Sequence, residues 1–196
     1  MKDPSETEDL LRRAREGSRE ALGRLLGECG DRLLTLIRLR LGAKLRERIE
    51  SRDILQATLV KALLHIEGFR GAGRPSLMAW LARIAENEIR DVADFHGRER
   101  RALEQTVAVG GTHEMDRLAA QLRSETSRIA DDERSARLLQ AVESLPAEQQ
   151  EVIVLRHLEE LSFGEVGERM GRSPDACRML LARAMTTLTL QLGRLA

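Results

Sequence analysis

One predicted helix face combines side chains that could hold an unpaired nucleic-acid base. Over residues 76–95, a helical repeat of 100° per residue places these four on one side: Trp80, Arg83, Asn87 and Arg90. A flipped base can stack on an aromatic ring or a guanidinium and hydrogen-bond to an amide. The glycine-rich segment just before it could border such a pocket, with Phe69, Arg70, Gly71 and Arg74. A helical tryptophan is more often a core residue, so the spacing alone leaves both interpretations open.

A second group of residues, near the carboxyl end, has the pattern of a duplex-reading helix. Ser162-Phe-Gly-Glu165 is typical of a capping box, and Gly171 can adopt the positive φ of a turn. Ser173-Pro174 then begins another helix, which completes a helix-turn-helix pattern. We expect the following residues to lie near DNA: Arg172, Ser173, Asp175, Arg178, Met179 and Arg183. The opposite face is expected in the core: Ala176, Cys177, Leu180, Leu181 and Ala184. A plain antiparallel helix pair is the competing interpretation.

Other chemistries have little support in the sequence. The four histidines are scattered without a companion acid at catalytic spacing, and no glycine-rich phosphate loop is present, so we expect no enzyme. The two cysteines lack the spacing of a zinc site, so we expect neither a metal nor any other cofactor. A disulfide is not expected, which favours a reducing cytoplasm. No apolar run approaches the ~20 residues of a membrane span, so we expect no membrane insertion.

Apolar periodicity predicts an all-α fold of two helical domains. Helices are expected over most of residues 6–48, separated at Gly17-Ser18 with Ser18 as an N-cap, and from Ser51 as the next cap. A loop is predicted over 67–75, and then a helix after Ser76 that ends near Arg98, Arg100 and Arg101. Pro146 is expected in the first turn of a later helix. The predicted organisation is a domain over 1–102, a flexible acidic linker over 103–134 and a second domain over 135–196.

The zero net charge conceals an uneven distribution. Residues 51–101 contain nine Lys/Arg against seven Asp/Glu, and residues 161–196 contain five against three. The intervening residues 102–160 contain six against twelve. Because phosphate binding depends on local charge, two mildly basic segments around an acidic one remain compatible with nucleic acid.

Two blocks of sequence resemble extracytoplasmic-function (ECF) sigma factors of bacterial RNA polymerase, members of the sigma-70 family. The stretches 53–62, 67–71 and 79–87 (DILQATLVKA, EGFRG and AWLARIAEN) resemble their region two. The stretches 144–156 and 161–173 (SLPAEQQEVIVLR and LSFGEVGERMGRS) resemble their region four. Residues 10–42 resemble the opening helices of the family, so that nearly the whole chain except the linker is covered.

The resemblance implies a role for each segment. The helix with Asp53, Gln56, Thr58 and Lys61 would bind core RNA polymerase. The 69–74 loop with the Trp80–Asn87 face would open the −10 element of promoter DNA and capture a flipped base. Arg98, Arg100 and Arg101 would hold backbone phosphates, and the helix after Ser173 would read the −35 element. Anti-sigma inhibitors are common in this family, which makes one a candidate partner.

Some positions depart from the family pattern. The family often has Glu where this chain has Ala57 and aromatic residues at Leu59 and Leu63, so we expect altered polymerase docking. Leu180 and Met185 occupy positions where many members have arginine, which makes the predicted −35 surface less basic. Two alternatives remain: a helix-turn-helix regulator that acts without polymerase, and a sigma-like interaction protein that sequesters a partner.

Overall fold

The computed structural model describes residues 4–99 and 133–193, so the predicted linker lies almost entirely outside the described residues. The chain divides into two compact units, Met1–Ser127 and Arg128–Ala196. Every regular element within the described ranges is helical, which confirms the all-α prediction. None of the helices in these ranges is long and apolar enough to cross a membrane.

The amino-terminal unit begins with a helical hairpin. Helix α1 (Pro4–Arg15) is followed by α2 (Arg19–Arg46), and Gly17 adopts a φ of 92° at the turn. Ser18 accepts a hydrogen bond from the Ala21 N–H at 3.3 Å, which confirms the predicted N-cap. The backbone of Gly42 interrupts α2 with a φ of 64° and a ψ of 167°.

Two further helices follow among the described residues of this unit. Helix α3 (Ser51–His65) leads through the 3₁₀ turn Ile66–Gly68 into α4 (Gly73–Glu99). The prediction that Ser51 caps α3 was wrong, because Glu50 holds the N-cap position and its side chain makes no capping bond. The predicted start of α4 after Ser76 was also wrong: the helix begins at Gly73, whose φ of 68° turns the chain into it, with Pro75 in its first turn.

The core of the amino-terminal unit is aliphatic. Leu25, Leu26, Leu33, Leu77 and Leu81 are at most 1% exposed, and each such leucine contributes about 2–3 kcal/mol by leaving water. A helical repeat of 100° per residue puts Phe95 on the same side of α4 as Leu77, but its side chain is 53% exposed.

Over residues 133–193, the carboxy-terminal unit contains four α-helices and a π-helical turn. Helices α5 (Glu133–Glu143) and α6 (Ala147–Ile153) precede the π-helical turn Val154–Leu158. Helices α7 (Phe163–Met170) and α8 (Pro174–Gly193) follow it. Pro146 is the N-cap of α6 rather than a residue of its first turn, because its ψ of 144° is extended.

Candidate nucleic-acid interface

The first helix of the predicted helix-turn-helix, α7, begins with the expected capping box. The Glu165 N–H donates to the Ser162 Oγ at 3.3 Å, and the Ser162 N–H donates to the Glu165 Oε2 at 2.8 Å. The Ser162 hydroxyl also donates to that carboxylate, at 2.7 Å. Hydrogen bonds from the Ser162 side chain, and then from its backbone, lower the pKa of Glu165 because they favour the charged form.

The turn between α7 and α8 has the predicted left-handed glycine. Gly171 has a φ of 63° and a ψ of 36°, and the Arg172 N–H donates to the Gly167 carbonyl at 2.9 Å. Ser173 caps α8, because its Oγ accepts from the Ala176 N–H at 3.2 Å. A side chain at Gly167 would bring Cβ to 2.6 Å from the Arg172 carbonyl oxygen. The close approach of α7 to the turn therefore requires glycine there, which the sequence pattern alone does not reveal.

The structure places all six predicted duplex-facing residues on the exposed surface of the carboxy-terminal unit: Arg172, Ser173, Asp175, Arg178, Met179 and Arg183. On the opposite face of α8, Cys177 and Ala184 are fully buried, and Leu180 and Leu181 are half-buried. The prediction that Ala176 faces the core was wrong. Ala176 lies in the exposed first turn beside the Ser173 cap, where the helix has not yet reached its packing partner.

Two arginines of this surface already have acidic neighbours. Arg172 pairs with Glu148 at the start of α6, and Arg178 pairs with Asp175 one turn earlier on α8. The Arg178 guanidinium also lies 5.1 Å from the centroid of the Phe163 ring. The Arg156 guanidinium lies 5.2 Å from the same centroid, so Phe163 makes cation–π contacts with both arginines. These contacts fix the direction in which Arg178 leaves α8.

A buried acid forms an ion pair with the first helix of this pair, α7. Glu159, just after the π-helical turn, is 0% exposed, and Arg169 of α7 donates to its Oε2 at 3.5 Å. Next to it, Glu160 adopts a φ of 60° although it is not glycine. Neither residue was identified from the sequence. The adjacent apolar residues Leu158 and Leu161 gave no sign that a charge is buried between them.

In the amino-terminal unit, the predicted base-binding aromatics form a packed pair. Phe69 is only 6% exposed, and its ring centroid lies 5.1 Å from that of the half-buried Trp80 at an interplanar angle of 39°. The Phe69 ring belongs to the core and not to the exposed surface, and its role at the −10 element stays a prediction. Trp80, which is half-buried, is the member of the pair that remains partly accessible.

The polar residues around Trp80 are placed much as the helical repeat predicted. Arg83, Asn87 and Arg90 are exposed on α4, and Arg90 donates to the Asn87 Oδ1 at 3.1 Å. Arg70 is exposed, and its guanidinium donates to the Glu67 carbonyl. Arg98 lies in the last turns of α4, whereas Arg100 and Arg101 are outside the described residues.

Gly71 of the preceding loop and Arg74 in the first turn of α4 are partly enclosed. A side chain at Gly71 would bring Cβ to 2.5 Å from the Phe69 Cζ and 2.6 Å from the Ser76 Cβ. Arg74 is half-buried against α2. Burial first, and then the Arg74 charge, lowers the pKa of Arg32. The loop is therefore a packed element with little freedom to move as a whole.

The predicted polymerase-binding helix exposes only part of the expected set. Asp53 and Lys61 are exposed and Gln56 is half-buried. Thr58 does not lie on this surface: its side chain is 0% exposed and its hydroxyl donates to the Ile54 carbonyl at 2.7 Å, and its role in polymerase binding stays a prediction. Lys61 pairs with Glu88 of α4, which accounts for a buried acid on the otherwise apolar side of that helix.

These observations define a helical protein in which one unit carries a helix-turn-helix and the other an exposed aromatic–cation face. Two family models match the chain: "Sigma-70 region 2" over residues 28–101 and "Sigma-70, region 4" over residues 135–188. Together the two matches cover more than half of the chain. The chain belongs to the sigma-70 family, in its ECF group.

Individual relatives agree with this assignment. ECF RNA polymerase sigma factor BldN of Streptomyces coelicolor is 34% identical over 186 residues, which are 95% of this chain and 66% of BldN. ECF RNA polymerase sigma factor SigD of Mycobacterium bovis is 28% identical over 172 residues, which are 88% of this chain and 77% of SigD. The chain thus spans about two thirds to three quarters of the length of these relatives.

A solved structure shares the fold. The structure of CnrH in complex with the cytosolic domain of CnrY has a TM-score of 0.51 and 23% identity. The match covers 96% of this chain and 98% of that one.

Proposed function

We propose that the protein is a sigma factor, which directs core RNA polymerase to promoters and helps to open their −10 region. One observation carries the proposal: the two segments that match sigma-70 regions 2 and 4 each present an exposed surface suited to a different form of DNA. The region 4 segment has a capped helix-turn-helix suited to a duplex. The region 2 segment has an aromatic edge with neighbouring cations and an amide, which suits an unpaired base.

In the duplex-reading step, α8 enters the major groove of the −35 element. Its amino-terminal N–H groups can meet a phosphate, and Arg178 or Arg183 can reach a guanine edge or the backbone. The Arg178 guanidinium is already held over the Phe163 ring, which reduces the conformational entropy that binding would cost. Asp175 must release Arg178 before it can donate to DNA, which offsets part of this advantage.

In the opening step, a base of the −10 element leaves the duplex and stacks on the accessible part of the half-buried Trp80. Asn87 supplies an amide for its Watson–Crick edge, and Arg83 supplies a cation for the adjacent phosphate. Arg90 donates to the Asn87 side-chain oxygen, which orients the amide so that its NH₂ group faces outward. Each of these residues thus has a separate role in capture.

Core polymerase holds the two DNA-binding surfaces at the same promoter. Asp53, Gln56 and Lys61 on α3 are the proposed contacts with core polymerase. We propose the domain organisation that the sequence predicts, with domains over 1–102 and 135–196 and a linker over 103–134. Neither surface is strongly basic, so free-DNA binding is weak, and holding both readers on polymerase raises their effective concentration at a promoter. CnrH was solved with the cytosolic domain of CnrY, which supports an anti-sigma factor as a further partner.

Run-off transcription with core polymerase and a promoter library tests this function. We expect transcripts from a subset of promoters only when the protein is added. A Trp80→Ala, Asn87→Ala double variant is expected to bind polymerase but to lose promoter opening, read by permanganate footprinting. Arg178→Ala is expected to relax −35 preference and leave opening unaffected. Arg12→Ala, on the exposed face of α1, is the matched control and changes neither.

Two results would decide against the proposal. Binding to a specific duplex without polymerase, with no stimulated transcript from any promoter, would indicate a polymerase-independent regulator. Inhibition of transcription by another sigma factor, again without a transcript of its own, would indicate a protein that sequesters a partner.

A further inference from the structure

Arg15, at the carboxyl end of α1, reaches across the amino-terminal unit to the loop before α4. Its guanidinium donates to the Gly71 carbonyl, 56 positions later in the chain. The same guanidinium lies 5.3 Å from the centroid of the Phe69 ring. One side chain therefore contacts both the aromatic residue and the glycine that define this loop.

The Arg15 contact is maintained although part of the guanidinium is buried. The Arg15 Nε is buried without a hydrogen-bond partner among the described residues, so the guanidinium is held there although one donor loses its water. Other arginines of α1 behave differently: Arg12 pairs with Asp9 and Glu16 on the exposed face of the same helix. A buried donor is retained where its other contacts compensate.

The contacts of the loop form a chain that ends at the base-facing tryptophan. Arg15 lies over one part of the surface of Phe69, and Phe69 packs on Trp80. Gly71 fits against the Phe69 ring with no room for a Cβ, and its carbonyl accepts from Arg15. Moving the Arg15 side chain would free the Gly71 carbonyl and one face of Phe69 together, and so loosen the support of Trp80.

We propose that Arg15 is a positioning residue for the −10 pocket: it locks the loop at Phe69–Gly71 so that Trp80 is held ready for a flipped base. This inference deepens the proposed function and rests on it. Arg15 touches neither DNA nor polymerase in this role. It acts through the Gly71 carbonyl and the Phe69 ring, and it makes α1 a part of the promoter-opening apparatus.

The chemistry of arginine suits this role better than that of lysine. A planar guanidinium can stack on a ring and donate in its own plane at the same time, whereas an ammonium offers a point charge. Arg15→Met keeps an apolar stem of similar length and removes both interactions. Arg15→Lys keeps the charge and one donor. Its loop protection and its fluorescence quenching are therefore expected to fall between those of Arg15→Met and those of the unchanged protein.

The first experiment uses the free protein and needs no promoter. Trp80 is the sole tryptophan of the chain, so acrylamide quenching of intrinsic fluorescence reports directly on this pocket. Hydrogen exchange of the loop amides measures its opening. In Arg15→Met we expect about a ten-fold loss of protection in the loop, as for a lost hydrogen bond to a charged group, with stronger quenching. Arg12→Met is the control and leaves both unchanged. Unaltered quenching and exchange in Arg15→Met would overturn the proposal.

The second experiment measures base selection with polymerase. Run-off transcription from promoters varied at single −10 positions is expected to show about a ten-fold loss of discrimination in Arg15→Met at the captured base, while −35 preference and polymerase affinity stay as they were. A uniform loss at every position would indicate only a folding defect and would overturn the role. If the unchanged protein gives no transcript at any promoter, the proposed function fails. If it transcribes normally and Arg15→Met keeps full discrimination, only the role of Arg15 fails.

Discussion

Replacing Glu160 by glycine is expected to leave the carboxy-terminal unit more stable than replacing it by alanine. Glu160 adopts a φ of 60° between the π-helical turn and the Ser162 cap of α7. Its neighbours fix this conformation: the Glu159 N–H donates to the Val154 carbonyl at 2.9 Å, and the Leu161 N–H donates to the Leu155 carbonyl at 3.1 Å. A residue with a Cβ pays a steric cost in the left-handed region that glycine does not pay.

The size of the effect follows from two opposing contributions. The left-handed conformation costs a residue with a Cβ about 1–2 kcal/mol. Glycine loses about 0.5–1 kcal/mol more than alanine because its unfolded chain is freer. The difference leaves about 0.5–1 kcal/mol in favour of Glu160→Gly over Glu160→Ala. Both variants lack the glutamate side chain, so its interactions do not contribute to the difference in stability between them.

Native-state hydrogen exchange of the buried segment around Val152 and Leu155 measures this difference in the full chain. The rate of exchange through unfolding of this unit is expected to be about three-fold slower in Glu160→Gly than in Glu160→Ala. Ala182→Gly is the control, because Ala182 is exposed within α8 and a helical glycine there is expected to cost about 1 kcal/mol. Equal exchange rates in the two Glu160 variants would show that the positive φ carries no cost here and would refute the reasoning.

Three other substitutions test the two surfaces. Glu148→Gln removes the acidic partner of Arg172. Promoter affinity is therefore expected to rise by up to about five-fold, since exposed ion pairs contribute at most ~1 kcal/mol. Fluorescence-anisotropy titrations at several salt concentrations measure this affinity. The pKa of Glu165 is lowered in the folded protein, so its cap contributes its full stability above the unfolded-state pKa and loses it as pH falls through the folded-state pKa. In Ser162→Ala, the stability of the carboxy-terminal unit is expected to depend less on acid pH, as measured by hydrogen exchange. Gly71→Ala is expected to destabilise the amino-terminal unit by about 1–3 kcal/mol in a urea titration followed by tryptophan fluorescence, whereas Gly68→Ala, with open space around it, is not.

Features that depend on neighbouring residues in the chain were predicted well from the sequence. The Ser18 cap, the Ser162–Glu165 box and the left-handed Gly171 each depend on residues within a few positions of one another. The helical repeat also placed the exposed cations of α4 and α8 correctly. In each case the physical cause, a hydrogen bond to a free N–H or a backbone angle, is local.

Features that depend on distant parts of the chain were missed or wrongly placed. Phe69 was expected at the DNA surface, but α1 contributes Arg15 to one side of it and α4 contributes Trp80 to another. Thr58 satisfies its hydroxyl within its own helix, which allows a polar residue into the core. Glu88 was unexplained until Lys61 of α3 provided its partner. Periodicity shows which face is apolar, but it does not show which element covers that face.

The acidic partners of Arg172 and Arg178 have a consequence for how the protein searches a genome. Random DNA attracts a protein through phosphate contacts alone, and it outnumbers true sites by about a million-fold or more. A guanidinium already neutralised by Glu148 or Asp175 gains little from an arbitrary phosphate. A promoter that also supplies the correct base edges compensates for parting these pairs. Under the proposed function, the internal carboxylates therefore shorten the time spent on the wrong sequence, and they do so within the same unit that recognises the right one.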